Sequence, residues 1–391
     1  MSWPDTLFPL QDISAAHTRF VKPVENYGAL SIFGPNIIAS EGAEWKKHRK
    51  VCAPAFSEPN NRLVWNETVR ICDELYREVW KGQDRIEYDH VVSGFSLPIA
   101  LLVLSAASFG RRASWKDDEL LGAGKRYTFK EALGIASQNI ALKTALPRWA
   151  FNLTDGLKER RESQGVERHD LFSSLLASCD EEGEDTFTEK DLMGDIFIFT
   201  LAGHETTAHA LAFTLGLLAL YPDEQDKLYE HITAVVPPGK SPTYEDMASL
   251  PRVLAVYYES MRLFPPGILS PFLYRKAPRW CFRSPDFTYN ERYWDDPHEF
   301  WPDRFLGNWP RNAFLSFSSG PRACLGRRFF ETEGVAILTT LLSKYKVSIK
   351  EEPQYAQETF EERKARVLKP KLSVSVAPSR LPIAFTRRDG S

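Results

Sequence analysis

Apolar residues recur at helical spacing along most of the chain. In Thr68–Trp80, TVRICDELYREVW, apolar and charged positions alternate with the period of a helix. Thr188-Glu-Lys-Asp191 is a capping signature just ahead of the apolar run DIFIFTLAGHETTAHALAFTLGLLAL, Asp195 to Leu220. The pattern predicts a helix from there to about Leu220, where Tyr221-Pro222 stops it. At roughly 30 residues it is about 45 Å long, enough to cross a whole domain. LPRVLAVYYESMRLFPP predicts a second helix, ended by Pro265-Pro266, and a third runs from Gly326 to about Lys344. Period-two alternation clusters late, in KLSVSVAP (Lys371–Pro378) and the RLPIAFTRR that follows. The charge-rich stretches KERRESQGVERHD and DEEGEDTFTEKD read as exposed loops. No internal repeat is visible. The expectation is one domain over 1-391, mainly α with a small β-sheet.

Composition narrows the picture without changing it. The 391 residues are 43% apolar and 26% charged, ordinary for a globular chain with a large core. A net charge of −3 points neither to nucleic acid nor to an anionic membrane. The five cysteines (Cys52, Cys72, Cys179, Cys281, Cys324) are scattered and odd in number, so neither a disulfide framework nor a zinc site is expected. The start, MSWPDTLFPLQDISAAHTRF, lacks the basic and apolar regions of a signal peptide. Asp195–Leu220 is long enough to span a bilayer. His204 and Glu205 fall near its middle, however, where ionisable groups are costly, and a buried core helix is the expectation.

One loop carries chemistry: Phe317-Ser-Ser-Gly320-Pro-Arg322-Ala-Cys324-Leu-Gly326. A free cysteine is most often a buried, inert hydrophobe, and that reading is preferred for the other four. Cys324 stands apart because its surroundings suit an axial thiolate ligand of a haem iron. N–H groups at the start of the following helix would favour the ionised sulfur. Gly320 and Gly326 would let the backbone turn tightly and approach a flat cofactor, and Arg322 would pair with a cofactor carboxylate.

This loop resembles the haem-binding loop of the cytochrome P450 monooxygenases, F-x-x-G-x-R-x-C-x-G. On the long helix, Ala202-Gly-His-Glu-Thr206 resembles the family's oxygen-activation motif A-G-x-E-T. Phe199, Gly203 and Thr206 share one helix face. The resemblance implies a flat spot for dioxygen at Gly203, beside Ala202, and a proton relay through Thr206 and Glu205. The plain alternative is a threonine bonded back to its own turn. Glu259-Ser-Met-Arg262 resembles the E-x-x-R motif, and Trp301–Phe305 (WPDRF) brings Arg304 to the same cluster. These three are structural in the family, holding the cysteine loop. GAEWKKHRKVCAPAF (Gly42–Phe56) resembles the helix whose tryptophan and arginine meet a haem carboxylate, here Trp45 and Arg49. His48 beside them reads equally as a propionate contact or as a packing residue. Lys46, Lys47, Lys50, Arg327 and Arg328 offer a basic face to an acidic electron donor, or are simply solvated.

The resemblance implies a haem b cofactor with Cys324 as the iron ligand. It implies electrons from NADPH through a cytochrome reductase, with a small cytochrome as a second donor. It also implies O2 and a small apolar substrate, and a pocket made by Phe199, Pro266, Gly267, Ile268 and Leu269. The style of the C-terminal third is fungal, and the family sits on the endoplasmic reticulum facing the cytosol. Three departures stand out. The family's N-terminal anchor and first sheet region have no counterpart here. The chain is compressed near 150-170. Near 273-290 an expected strand, turn and strand is replaced by other sequence. A truncated or alternatively spliced product is therefore expected, and the alternative function is a non-catalytic or misfolded haem-binding fragment. A haem-thiolate isomerase or dehydratase is a further reading, against which the relay residues Thr206 and Glu205 speak.

Overall fold

The computed structural model describes residues 22–110, 112, 114–115, 170–177, 187–267, 288–372 and 375–388. Nine α-helices lie among these: α1 (Gly42–Cys52), α2 (Glu58–Glu74), α3 (Leu97–Phe109), α4 (Leu171–Ala177), α5 (Glu189–Leu220), α6 (Pro222–Val235), α7 (Pro251–Leu263), α8 (Arg327–Leu342) and α9 (Phe360–Val367). The strands are β1 (Arg85–Tyr88), β2 (Tyr345–Ile349), β3 (Pro370–Leu372), β4 (Val376–Pro378) and β5 (Ile383–Arg387). The mainly α fold with a small β component is as expected.

Helix α5 starts and stops where its local chemistry dictates. The Thr188 side chain accepts from the Asp191 N–H, and the Asp191 carboxylate accepts from the Thr188 N–H at 2.9 Å, closing a capping box. At the other end Tyr221 leaves helical geometry and Pro222 opens α6. The 32 residues span roughly 48 Å. Most of them are buried, so α5 is the core helix foreseen from its central His204 and Glu205. The third predicted helix is α8, and the second is α7.

The Thr68–Trp80 pattern proves to be the end of a longer element. Helix α2 begins at Glu58 and continues through a π-helical turn, Leu75–Val79. Among the described residues one helical run, Val92–Phe109 and not α5, is long and apolar enough to cross a membrane by length and composition, and it lies mostly buried in the protein.

The sheet departs further from expectation. KLSVSVAP is not one strand but a two-stranded antiparallel pair, β3 with β4, in register Lys371↔Ala377. The following segment forms β5, the centre of a three-stranded antiparallel sheet in the order β1-β5-β2. Its register runs Arg85↔Thr386 to Tyr88↔Ile383 on one side and Tyr345↔Arg387 to Ile349↔Ile383 on the other. The charge-rich stretches and the two compressed regions lie largely outside the described residues.

The core gathers α2, α3, α5, α7 and α8 around fully buried Trp65, Trp80, Trp294 and Tyr257. Helices α7 and α8 meet at Gly334. A Cβ there would sit 2.0 Å from Tyr257 Cε1, so only glycine admits the ring. Tyr257 stacks on Phe330 at 4.7 Å between centroids, which sets α8, and the cysteine loop ahead of it, against α7.

Candidate functional site

The loop before α8 is a series of tight turns. Ser318 N–H donates to Leu315 O at 2.8 Å, Ala323 N–H to Gly320 O at 3.0 Å, and Cys324 N–H to Phe317 O at 2.9 Å. Gly320 sits at φ +70°, where a side chain is strained, so its glycine is required by the turn. Gly326 is different. As N-cap of α8 it has φ −80°, and a Cβ there would make only ordinary contact with Phe56 at 3.8 Å. The backbone turn expected of Gly326 therefore does not need glycine.

Cys324 is exposed, whereas the free cysteines Cys52 and Cys72 are buried. Its exposure is not that of a convex surface. Protein crowds the sulfur closely enough that burial pushes the thiol pKa up, while the Gly326 N–H and the Arg327 and Arg49 guanidiniums pull it back. The residue is thus open to solvent while its thiol sits among protein atoms.

Helix α5 meets this loop in a shared apolar cluster that holds Leu201, Phe199 and Leu325. Its burial breaks around one stripe: Phe199, Gly203 and Thr206 are half-buried and Ala202 is exposed, whereas Thr207 to Leu218 are buried throughout. Thr206 Oγ1 donates to Ala202 O at 2.7 Å, the back-bonded geometry of an ordinary helical threonine, on the accessible side. Thr207 makes the same bond to Gly203 O at 3.0 Å on the buried side. A Cβ on Gly203 would come 3.1 Å from Leu104 Cδ1, so this glycine also serves the close approach of α3. Glu205 is buried, turned from the stripe. Phe199 meets Phe56 edge-on at 5.4 Å, and Leu325 belongs to the same apolar cluster. Phe56 thus links the α5 stripe to the cysteine loop. In the sequence Phe56 stands only as the residue that closes the Gly42–Phe56 motif, with no role assigned to it.

Cations collect at one side. The Arg322 guanidinium lies 4.4 Å from the Trp45 ring centroid and donates to Glu41 Oε2 at 2.6 Å. Its Nη1 is buried without a hydrogen-bond partner among the described residues. Arg49 Nη1 donates to Ala323 O at 3.4 Å. Buried Lys22 donates to Ile38 O; burial and the nearby Arg322 charge lower its pKa to about 7. A cofactor bearing carboxylates fits this arrangement: the unpartnered Nη1 is a donor awaiting an anion.

His48 does not join them. Nδ1 lies 2.6 Å from Asp195 Oδ2, and Nε2 lies 3.5 and 3.7 Å from Glu44 and Asp191 oxygens. With both nitrogens turned to carboxylates and the side chain fully buried, the imidazole has nothing to offer a cofactor carboxylate. The packing alternative holds for this residue.

The loop is anchored from below. Arg262 Nε and Nη2 donate to Glu259 Oε2 and Oε1 at 2.7 and 2.8 Å, a bidentate pair with both side chains fully buried. Arg304 Nε adds a bond to Glu259 Oε1 at 3.1 Å, and Trp301 N–H another at 3.0 Å. Arg262 also donates to Pro297 O at 2.7 Å. Ser316 Oγ then ties the loop itself to Met261 O at 3.1 Å. Pro266 O accepts from Val376 N–H at 3.1 Å and exposed Gly267 bridges to Ser375. Ile268 and Leu269 lie outside the described residues. A cavity of about 280 Å³, lined by Leu217, Tyr221, Phe264 and their neighbours, lies at the far end of α5 and contains none of the predicted site residues.

Fold and site together define a helical protein built around an exposed cysteine beneath one long helix. The sequence pattern of the cytochrome P450 family matches residues 14–279 and 286–376, and the chain belongs to that family. It is 43% identical to Cytochrome P450 monooxygenase 124 of Postia placenta, covering 97% of this chain and 81% of the relative. That alignment, over 422 positions, is longer than the chain itself, so the relative carries internal residues that this chain does not. A cytochrome P450 monooxygenase of Arthrobotrys oligospora is 27% identical over 88% of this chain and 74% of its own length. Among solved structures, the heme domain of cytochrome P450DA superposes with a TM-score of 0.77 at 22% identity, covering 97% of this chain and 86% of that one.

Proposed function

We propose that this protein is a haem-dependent monooxygenase that inserts one oxygen atom of O2 into a small apolar substrate. The observation that carries the reading is Cys324, an exposed residue whose thiol is nonetheless crowded by protein within the turns of its loop. Cys324 is the proposed iron ligand of a haem b. When bound, the haem supplies oxygen activation, with two electrons taken up and the second oxygen atom leaving as water.

The chain's own residues do the remaining work. The Gly326 N–H bonded to the sulfur favours the thiolate, as do the Arg327 and Arg49 charges. Arg322, with its spare Nη1, and Trp45 and Arg49 beside it, hold the cofactor's carboxylates. Phe199 and Phe56 line the cleft with apolar surface that excludes water and favours an apolar substrate. Thr206 holds a proton on Oγ1 at the accessible face; releasing its bond to Ala202 O lets that proton be donated into the cleft. Glu205, its neighbour in sequence but buried and turned from the stripe, is the carboxyl that restores the proton once its side chain swings towards Thr206.

Electrons come from NADPH through a cytochrome reductase, with a small cytochrome as a further donor. Exposed Lys46, Lys50 and Arg328 are the docking cations. A cytosol-facing position at the endoplasmic reticulum belongs to the same reading. Substrate-dependent NADPH consumption by the haem-loaded protein with reductase tests it. Haem binding without any such consumption would leave a non-catalytic relic.

A further inference from the structure

His48, excluded from the cofactor cleft, stands in a cluster of its own between α1 and the start of α5. Asp195 is acceptor-only. Its Oδ1 takes the Ile37 N–H at 2.7 Å, and its Oδ2 takes the Cys52 thiol at 3.2 Å and faces His48 Nδ1 at 2.6 Å. The proton of that contact therefore sits on Nδ1, and Nε2 presents a lone pair. Nε2 is buried with no hydrogen-bond partner among the described residues. It faces Glu44 Oε1 at 3.5 Å and Asp191 Oδ1 at 3.7 Å. A buried lone pair opposite two carboxylates is repulsive unless a cation lies between them.

A proton on Nε2 would be one such cation, but both separations are long for an N–H···O bond. They are close to the roughly 3.3 Å between ligand atoms that a tetrahedral centre with bonds of about 2.0–2.1 Å requires. The three candidate atoms all lie within 4.8 Å of one another. Glu44 and His48 are an i, i+4 pair on one helix face. The carboxylate behind His48 is the outer partner that fixes the tautomer of a metal-bound imidazole. The half-exposed Glu44 side chain gives an ion a way in.

We propose that Glu44, His48 and Asp191 form a binding site for a divalent cation of the zinc type, with water as the fourth ligand. The ion would join α1 to the N-terminus of α5, one turn from Trp45 and Arg49. Lys47 is its built-in competitor: Nζ bridges the same carboxylates, 2.9 Å from Glu44 Oε1 and 3.0 Å from Asp191 Oδ2. A metal must displace that ammonium.

The purified full chain is stripped with EDTA, given a small excess of Zn2+ alone and gel-filtered, and its metal is then counted by mass spectrometry. About one zinc per chain is retained, and affinity falls on the order of 10-fold or more in Glu44→Gln and His48→Ala. Lys47→Met binds at least as tightly as the wild type, because it removes only the competitor. Zinc raises the melting temperature of the wild type and of Lys47→Met but not of Glu44→Gln. Glu44 is half-exposed, so its variant reports even where His48→Ala does not fold. No retained zinc, equal retention by Glu44→Gln, or weakened binding by Lys47→Met would overturn the proposal. None of these readouts depends on haem or on turnover.

Discussion

Arg262 and Glu259 form a bidentate ion pair wholly inside the protein, one turn apart on α7, with N···O distances of 2.7 and 2.8 Å. Arg304 joins them from the WPDRF turn. This cluster fixes the segment that runs on into the cysteine loop. Glu259→Gln leaves two guanidiniums without their carboxylate in a buried place, and a loss of about 3–5 kcal/mol is expected. The check is chemical denaturation of the purified variant together with its haem content. Unchanged stability would mean that the cluster does not hold the loop.

Thr206→Ala should leave folding and haem content intact, because only one back-bond on the accessible stripe is lost. Substrate turnover should fall on the order of 10²-fold, the usual contribution of a positioned proton donor. Thr207→Val removes the matching bond on the buried side, and turnover should hold. Equal turnover in both variants contradicts the relay role of Thr206.

Gly203→Ala puts a methyl group 3.1 Å from Leu104 Cδ1. The expected cost is about 1–3 kcal/mol of overpacking, recovered when Leu104→Val removes that carbon. If the double variant regains stability but not activity, the glycine serves the cleft as well as the helix contact.

Glu333 lies fully inside α8 with Oε1 unpartnered, and burial raises its pKa well above the carboxylate range. The folded state therefore keeps a proton that the unfolded state gives up near pH 4.5. Stability linked to this group is complete below that pH and is lost as pH rises through the folded value. Glu333→Gln should gain on the wild type progressively from pH 5 to pH 8 in urea titrations. A gain independent of pH would show that the carboxyl is not the source.

What could be foreseen follows the range of the interactions. Helix α5 was legible end to end because a capping box and a proline are local signals. The resemblance reached the cysteine loop and the Glu259, Arg262 and Arg304 cluster because their spacing is written in the chain. Strands β1 and β2 were not legible: each is short, and the partner of Arg85 is Thr386, at the other end of the sequence. The split of KLSVSVAP into two strands was hidden too, since alternation alone does not show where a strand folds back. The choice between the two readings of His48 stayed open for the same reason. Asp195, which holds it, looks from the sequence like one acid in an apolar run, and only packing brings the two helices together.

The most direct test of the central claim is the carbon-monoxide difference spectrum of the reduced, haem-loaded protein and of Cys324→Ala. A thiolate-ligated haem gives a strongly red-shifted band, expected in the wild type and absent from the variant. A wild-type spectrum without that band, or a band that survives Cys324→Ala, would contradict Cys324 as the iron ligand.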